Sequence, residues 1–293
     1  MVETVQIEGP YNFDSVLERY AFDPLRPADL KERAAKVPLY IAGKPSVFTV
    51  RSAGTTDAPQ FVVEGLTEAN KEEALEKLSR LFQWHVPLKE IHEHFQKTAL
   101  KPLFDEFAGT PLILDPDPYS SLLRSIIHQQ INMAFAHKLT ERFVKTYGFE
   151  SDGVYFYPPP ETVARLTVDE LCGLQFNRRK AEYVIGIARA IADGELDLED
   201  LEKKTDDEIM AELTKYRGVG PWTAQNFLLF GLGRPNLLPL ADVGIQNAVK
   251  KLYNLDRKPT VAELKEYMKD WEPYLSYASM YLWKSVELRT PSD

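Results

Sequence analysis

Residues 212–244 read ELTKYRGVGPWTAQNFLLFGLGRPNLLPLADVG. A Gly-Val-Gly turn stands between two helical patterns, and a lone carboxylate, Asp242, follows the second glycine by 22 residues. The first helix is DDEIMAELTKY and the second begins at Pro221, which places a helix-hairpin-helix at about 206–231. Proline suits the first helical position, where its missing N–H is not needed. Gly218 and Gly220 permit torsions and close approach that side chains would block. The N–H groups around Val219, Gly220, Trp222 and Thr223 are then expected to face outward at a positive helix end, suited to one phosphate. A carboxylate at the distance of Asp242 can do chemistry on a strand held there. A bare Gly-x-Gly is equally an ordinary tight turn between packed helices, so the turn alone decides nothing.

The bulk numbers are permissive. At 293 residues the chain can bury a large core and hold two or three domains. Hydrophobic residues at 44% and charged residues at 27% give a normal globular balance. No apolar run approaches a membrane span, and MVETVQIEGP lacks the basic and apolar regions of a signal peptide. A cytoplasmic monomer is expected. Cys172 is the single cysteine, which excludes a disulfide, a four-cysteine iron–sulfur cluster and a Cys-rich zinc site; small core filler is its expected role. His92 and His94 lie two apart on a helical pattern and point in different directions, a poor metal pair. The net charge of −9 argues against coating nucleic acid by electrostatics alone, and for a local grip through backbone N–H groups.

The chain divides by texture. Residues 1–86 read as an α+β unit. VETVQIEG, VPLYIAG, SVFTVRS and QFVVEG are strand-like, FDSVLERYAFDPLRP and ADLKERAAK are helical patterns, and TEANKEEALEKLSRLFQW is an amphipathic helix with a Thr67 cap. A small antiparallel sheet with helices on one face is predicted. Residues 87–293 are almost entirely helical and form two helical subdomains, entered through an extended, proline-punctuated linker, TPLILDPDP. DGVYFYPPP holds a hairpin or loop, and Trp271 is assigned to the core. The fold class is thus α+β, with a sheet domain followed by a helical body.

Competing chemistry is absent. There is no phosphate-binding P-loop, no glycine-rich dinucleotide motif after a strand, and no HExxH, CxxC or GxSxG. LTKYRGVGPWTAQNFLLFGL followed by LPLADVGIQNAV resembles the hairpin, Gly/Pro-rich loop and aspartate of helix-hairpin-helix (HhH-GPD) base-excision DNA glycosylases. SLLRSIIHQQINMAFAHKLTERFVKTYG, FNRRKAEYVIGIARAIADGEL and WEPYLSYASMYLW match the 3-methyladenine DNA glycosylase II branch in order and spacing, so that the similarity covers roughly residues 110–285.

That resemblance implies a set of roles. Asp242 matches the catalytic aspartate, which stabilises oxocarbenium character on the sugar and orients or deprotonates water. As a helix cap before Val243 it would also serve, and the two roles are compatible. Trp222 stands where bifunctional members place a nucleophilic lysine, so the resemblance implies a monofunctional enzyme that leaves the abasic site uncut. Trp222 and Trp283 match base-pocket positions, where electron-rich rings suit a cationic alkylated purine. Gln130 stands where some members carry a leucine wedge that fills the gap left by the flipped nucleotide. Asn226, Val243 and Gly244 replace larger or aromatic pocket residues, which implies a roomier pocket. Gln129 is expected to support the same helix tip. Arg178, Arg179 and Lys180 form the most compact basic cluster, read either as phosphate contacts or as solvated charges. The carbonyls of Thr214, Tyr216 and Val219 are a candidate site for a monovalent cation, Na or K, with no other cofactor required.

The function implied is excision of alkylated purines, above all 3-methyladenine, from duplex DNA. Excision of oxidised or mismatched bases is the alternative within the superfamily. A non-catalytic DNA-binding module is the alternative outside it, and only an enzyme needs Asp242.

Overall fold

The structure, a computed structural model, describes residues 1–287. The N-terminal unit is a five-stranded antiparallel sheet, β1 (Val2–Gln6), β2 (Ala28–Asp29), β3 (Ala34–Ile41), β4 (Lys44–Ser52) and β5 (Gln60–Glu64), in the order β1-β5-β4-β3-β2. β3 and β4 are joined by Ala42 and Gly43, both left-handed at φ 47° and 73°, a pair that matches the twist of a two-residue hairpin. Alternation does the rest. Val37, Leu39, Phe48, Val50, Phe61 and Val63 point inward and are fully buried, beneath α1 (Phe13–Ala21) and α2 (Lys71–Phe82).

Two local expectations fail here. ADLKERAAK is not helical: it forms β2, a turn, and the start of β3. The Asp29 carboxylate accepts from the N–H groups of Lys31 and Glu32, both at 2.9 Å, and Arg33 turns left-handed at φ 50°. Ala28 then pairs with Ala35, and sheet pairing overrides helix propensity. Thr67 does not cap α2 either. The cap residue is Asn70, whose side chain instead accepts the Thr67 N–H at 2.6 Å.

The body that follows is helical: α3 (Leu88–Phe95), α4 (Lys101–Glu106), α5 (Pro118–Ile127) and α6 (Met133–Tyr147), then a short hairpin of β6 (Phe149–Ser151) and β7 (Val154–Phe156). α7 (Pro160–Ala164), α8 (Val168–Gly173), α9 (Arg178–Ala192), α10 (Leu198–Leu201), α11 (Asp206–Leu213) and α12 (Pro221–Asn226) lead into a π-helical turn at Phe227–Gly231. α13 (Val243–Leu252), α14 (Val261–Tyr267), a 3-10 turn at Met268–Trp271 and α15 (Leu275–Glu287) close the described chain. Most starts are written locally. Thr167, Thr205 and Thr260 form capping boxes with Glu170, Glu208 and Glu263, while Asn132, Asn177 and Asp242 cap with one side-chain bond each. No described helix is long and apolar enough to cross a membrane.

The segment at 110–117 is extended as expected, but it is not a surface linker. Leu112, Ile113 and Leu114 are buried, and so is Asp115, which forms ion pairs with Arg26 and Arg124. Burial pushes the Asp115 carboxyl up, yet the two guanidinium groups outweigh it and hold the group below the ordinary carboxylate range. This pairing ties the sheet unit, the crossing segment and α5 together.

Apolar packing forms two clusters. One combines the sheet unit and the 112–114 segment with Leu229, Phe230 and residues of α13, α14 and α15; the other gathers residues of α5 to α12 with Phe227 and Leu228. The π-helical turn therefore straddles the seam between them. Trp271 is fully buried, as predicted, whereas Cys172 is only half-buried and is no core residue.

Candidate active site and nucleic-acid interface

The hairpin is built by capping and close packing. Thr205 starts α11, the chain turns at 214–220, and Gly220 with Pro221 opens α12. Gly218 is left-handed at φ 91°, and a Cβ there would lie 2.1 Å from the Tyr183 ring, so only glycine lets α9 pack this closely. Around Gly220 the space is open, which leaves room for a ligand backbone. No side chain caps α12, and the N–H groups of Gly220, Trp222 and Thr223 have no partner among the described residues. They are the unsatisfied donors a helix start must offer outward. Val219 differs from expectation. It is buried, and its N–H is spent on the Tyr216 carbonyl at 3.0 Å.

Asp242 caps α13: its Oδ1 accepts the Ile245 N–H at 2.9 Å. The same oxygen accepts Trp283 Nε1–H at 2.9 Å, across 41 residues of sequence. Its Oδ2 has no hydrogen-bond partner among the described residues, no cation pairs with it, and the residue is half-buried. Capping and the indole bond thus use one oxygen and leave the other unpaired among the described residues. The loop before it is fastened to α15, where Ser276 accepts the Leu237 N–H at 3.1 Å and Ser279 donates to the Leu237 carbonyl at 3.0 Å.

Gly244 has a reason unrelated to pocket room. A Cβ there would stand 3.0 Å from both Asp242 Oδ1 and Trp283 Cδ1, a tight approach, so its absence eases the contact of the indole with the carboxylate. Val243 points to solvent, and Asn226 is buried with its amide donated to the Trp222 carbonyl at 2.8 Å. The roomier pocket expected from these three residues is therefore only in part a matter of space. Trp222 is half-exposed on the first turn of α12.

Trp283 also stacks on Phe230, with centroids 6.1 Å apart, and the guanidinium groups of Arg19 and Arg124 lie 5.3 and 5.7 Å from that Phe230 ring. Phe230, Arg19 and Arg124 were not legible as site residues, because no local spacing links α1, α5 and the π-turn. Asp242 lines neither the cavity of about 590 Å3 beside Arg26 and Asp115 nor the cavity of about 90 Å3 beside Lys284.

The basic cluster separates. Arg178 and Arg179 are exposed, Arg178 pairing with Asp169 at 3.1 Å. Lys180 is only 5% exposed, and its Nζ donates to the carbonyls of Ile127 at 2.5 Å and Gln129 at 2.9 Å. It is closed to phosphate. Burial alone pulls its ammonium down to about 8. Gln129 donates to the Gly218 carbonyl and to Thr223 Oγ1, both at 2.7 Å, so Thr223 offers only its backbone outward. Gln130 sits exposed between α5 and α6 in the left-handed region at φ 55°.

The family model described as "HhH-GPD superfamily base excision DNA repair protein" matches residues 123–273. YfjP of Bacillus subtilis (strain 168), provisionally named a DNA-3-methyladenine glycosylase, is 48% identical over 97% of this chain and 99% of its own. A second protein of that organism, "DNA-3-methyladenine glycosylase", is 34% identical over 77% of this chain and 78% of its own. Among solved structures, a 3-methyladenine DNA-glycosylase from Archaeoglobus fulgidus superposes with a TM-score of 0.84 at 23% identity, covering 96% of this chain and 97% of that one, a likeness of fold. With the family model spanning more than half of the residues and a relative aligned along nearly the whole length, the chain belongs to the HhH-GPD superfamily of base excision DNA repair proteins.

Proposed function

We propose that this protein is a monofunctional DNA glycosylase that releases alkylated purines, 3-methyladenine among them, from duplex DNA, acting as a monomer. The observation that carries the reading is the Asp242 carboxylate, held by Trp283 through one oxygen with the other free, in the chain segment that follows the phosphate-gripping turn. The names of the two Bacillus relatives support the choice of substrate.

The hairpin N–H groups hold a backbone phosphate, and the damaged nucleotide leaves the stack. Gln130 fills the gap. An alkylated purine carries positive charge, so the bond between C1′ and the ring nitrogen breaks with its electron pair moving onto the base, which departs neutral. The sugar is left with oxocarbenium character, and the free Asp242 oxygen stabilises it. Water adds to C1′ and gives its proton to Asp242 or solvent, completing hydrolysis. Trp222 offers no amine, so no Schiff base forms and the strand stays intact. The carbonyls of Thr214 and Val219 accept no backbone N–H among the described residues, and with Tyr216 they suit a monovalent cation that would stiffen the turn.

Incubation with methylated duplex DNA tests this, with freed bases separated by chromatography and strand integrity followed in parallel. Released 3-methyladenine with strands cut only after alkali or heat is the expected result. Strand breaks without that treatment would overturn the monofunctional assignment. Absence of any freed methylpurine would overturn the substrate.

A further inference from the structure

Between α5 and α6, nearly every residue is fastened. His128 Nε2 meets Thr140 Oγ1 at 3.0 Å, Ile131 packs against the second apolar cluster, and Asn132 caps α6 through the Phe135 N–H at 2.9 Å. Gln129 is held twice over: its carbonyl accepts from Lys180, and its amide donates to the hairpin at Gly218 and Thr223. Gln130 alone in this turn has an exposed side chain with no partner among the described residues.

Lys180 is the costly member. A lysine so deeply buried is rare, because its charge loses water. An apolar side chain would fill the space without that cost. What the ammonium supplies is two donors for the orphaned carbonyls at the end of α5, on either side of His128 and immediately before Gln130. The hydrogen-bond path then runs from α9 through Gln129 to Gly218 and Thr223, two residues before and three after Gly220, whose N–H has no partner among the described residues.

We infer that Lys180 and Gln129 are positioning residues, which lock the Gln130 turn onto the hairpin so that gripping the phosphate and filling the vacated stack occur as one event. This rests on the reading of Gln130 given under Proposed function. Neither residue touches DNA in this account; each acts through Gln130.

The test uses the full chain with Asp242→Asn to stop base release, bound to duplex carrying 2-aminopurine beside an alkylated purine. Fluorescence then reports nucleotide extrusion. Lys180→Met, Gln129→Leu and Gln130→Ala should each lower the fluorescence rise about tenfold. The decisive arm is the pair Lys180→Met with Gln130→Ala. It should lose no more than Gln130→Ala alone, because a residue acting through Gln130 has nothing left to act on. Additive losses, or a full rise with Lys180→Met where Gln130→Ala has lost it, would overturn the positioning role. A full rise with Gln130→Ala would instead overturn the reading of Gln130 itself. Should Lys180→Met fail to fold, Gln129→Leu paired with Gln130→Ala decides in its place.

Discussion

Trp283 joins two tasks in one ring, since its N–H fixes Asp242 Oδ1 and its face stacks on Phe230. Trp283→Phe separates them, keeping an aromatic face and removing the donor. A hydrogen bond to a charged group contributes about 1.5–3 kcal/mol, so single-turnover base release should fall about 10- to 100-fold. DNA affinity should stay near its original value, and an unchanged rate would show that the indole only packs. At this scale the sequence was legible where a residue type is tied to one chemistry. Asp242 and Trp283, singled out from motif positions, meet in the structure, though the bond between them could not be read from the sequence. Lys180 was misread because a sequence displays charge and not depth. The same holds for Val219, whose N–H direction depends on how the turn closes.

Among elements, the hairpin depends most on a single atom's absence. Gly218→Ala would put a Cβ into the Tyr183 ring at a left-handed backbone position. Strain of that kind costs about 1–3 kcal/mol, and the turn must shift to relieve it. Calorimetry should show a Tm lowered by several degrees, and DNA affinity should drop about tenfold or more as the outward N–H groups move. Wild-type Tm and affinity together would contradict the packing described. The helix read at DDEIMAELTKY does form, as α11, and the structure starts it with the Thr205 capping box. ADLKERAAK forms no helix, because its helical pattern yields to pairing with a strand whose register is set elsewhere. Thr67 failed for a nearer reason: Asn70 competes for the same backbone.

Across the whole molecule, the site lies on the seam between two apolar clusters, and one of them joins the sheet unit to the C-terminal helices. That return of α13 to α15 onto the N-terminal unit was hidden in the sequence, where texture suggested only a change near residue 86. Contacts across 171 residues, such as the Tyr281 hydroxyl donated to the Thr110 carbonyl, leave no local pattern. The net charge of −9 argues for a DNA footprint of a few contacts. With about two to four phosphates neutralised, log K against log salt should have a slope of about −2 to −4. A slope near −8 would mean a broad basic face that this account lacks.

The most direct measurement compares the native chain with Asp242→Asn on alkylated duplex, recording base release and DNA binding on the same samples. Release should fall at least about 10²- to 10³-fold while binding stays within a few-fold, as loss of one electrostatic group at the reacting centre requires. Base release by Asp242→Asn at the native rate would contradict the account.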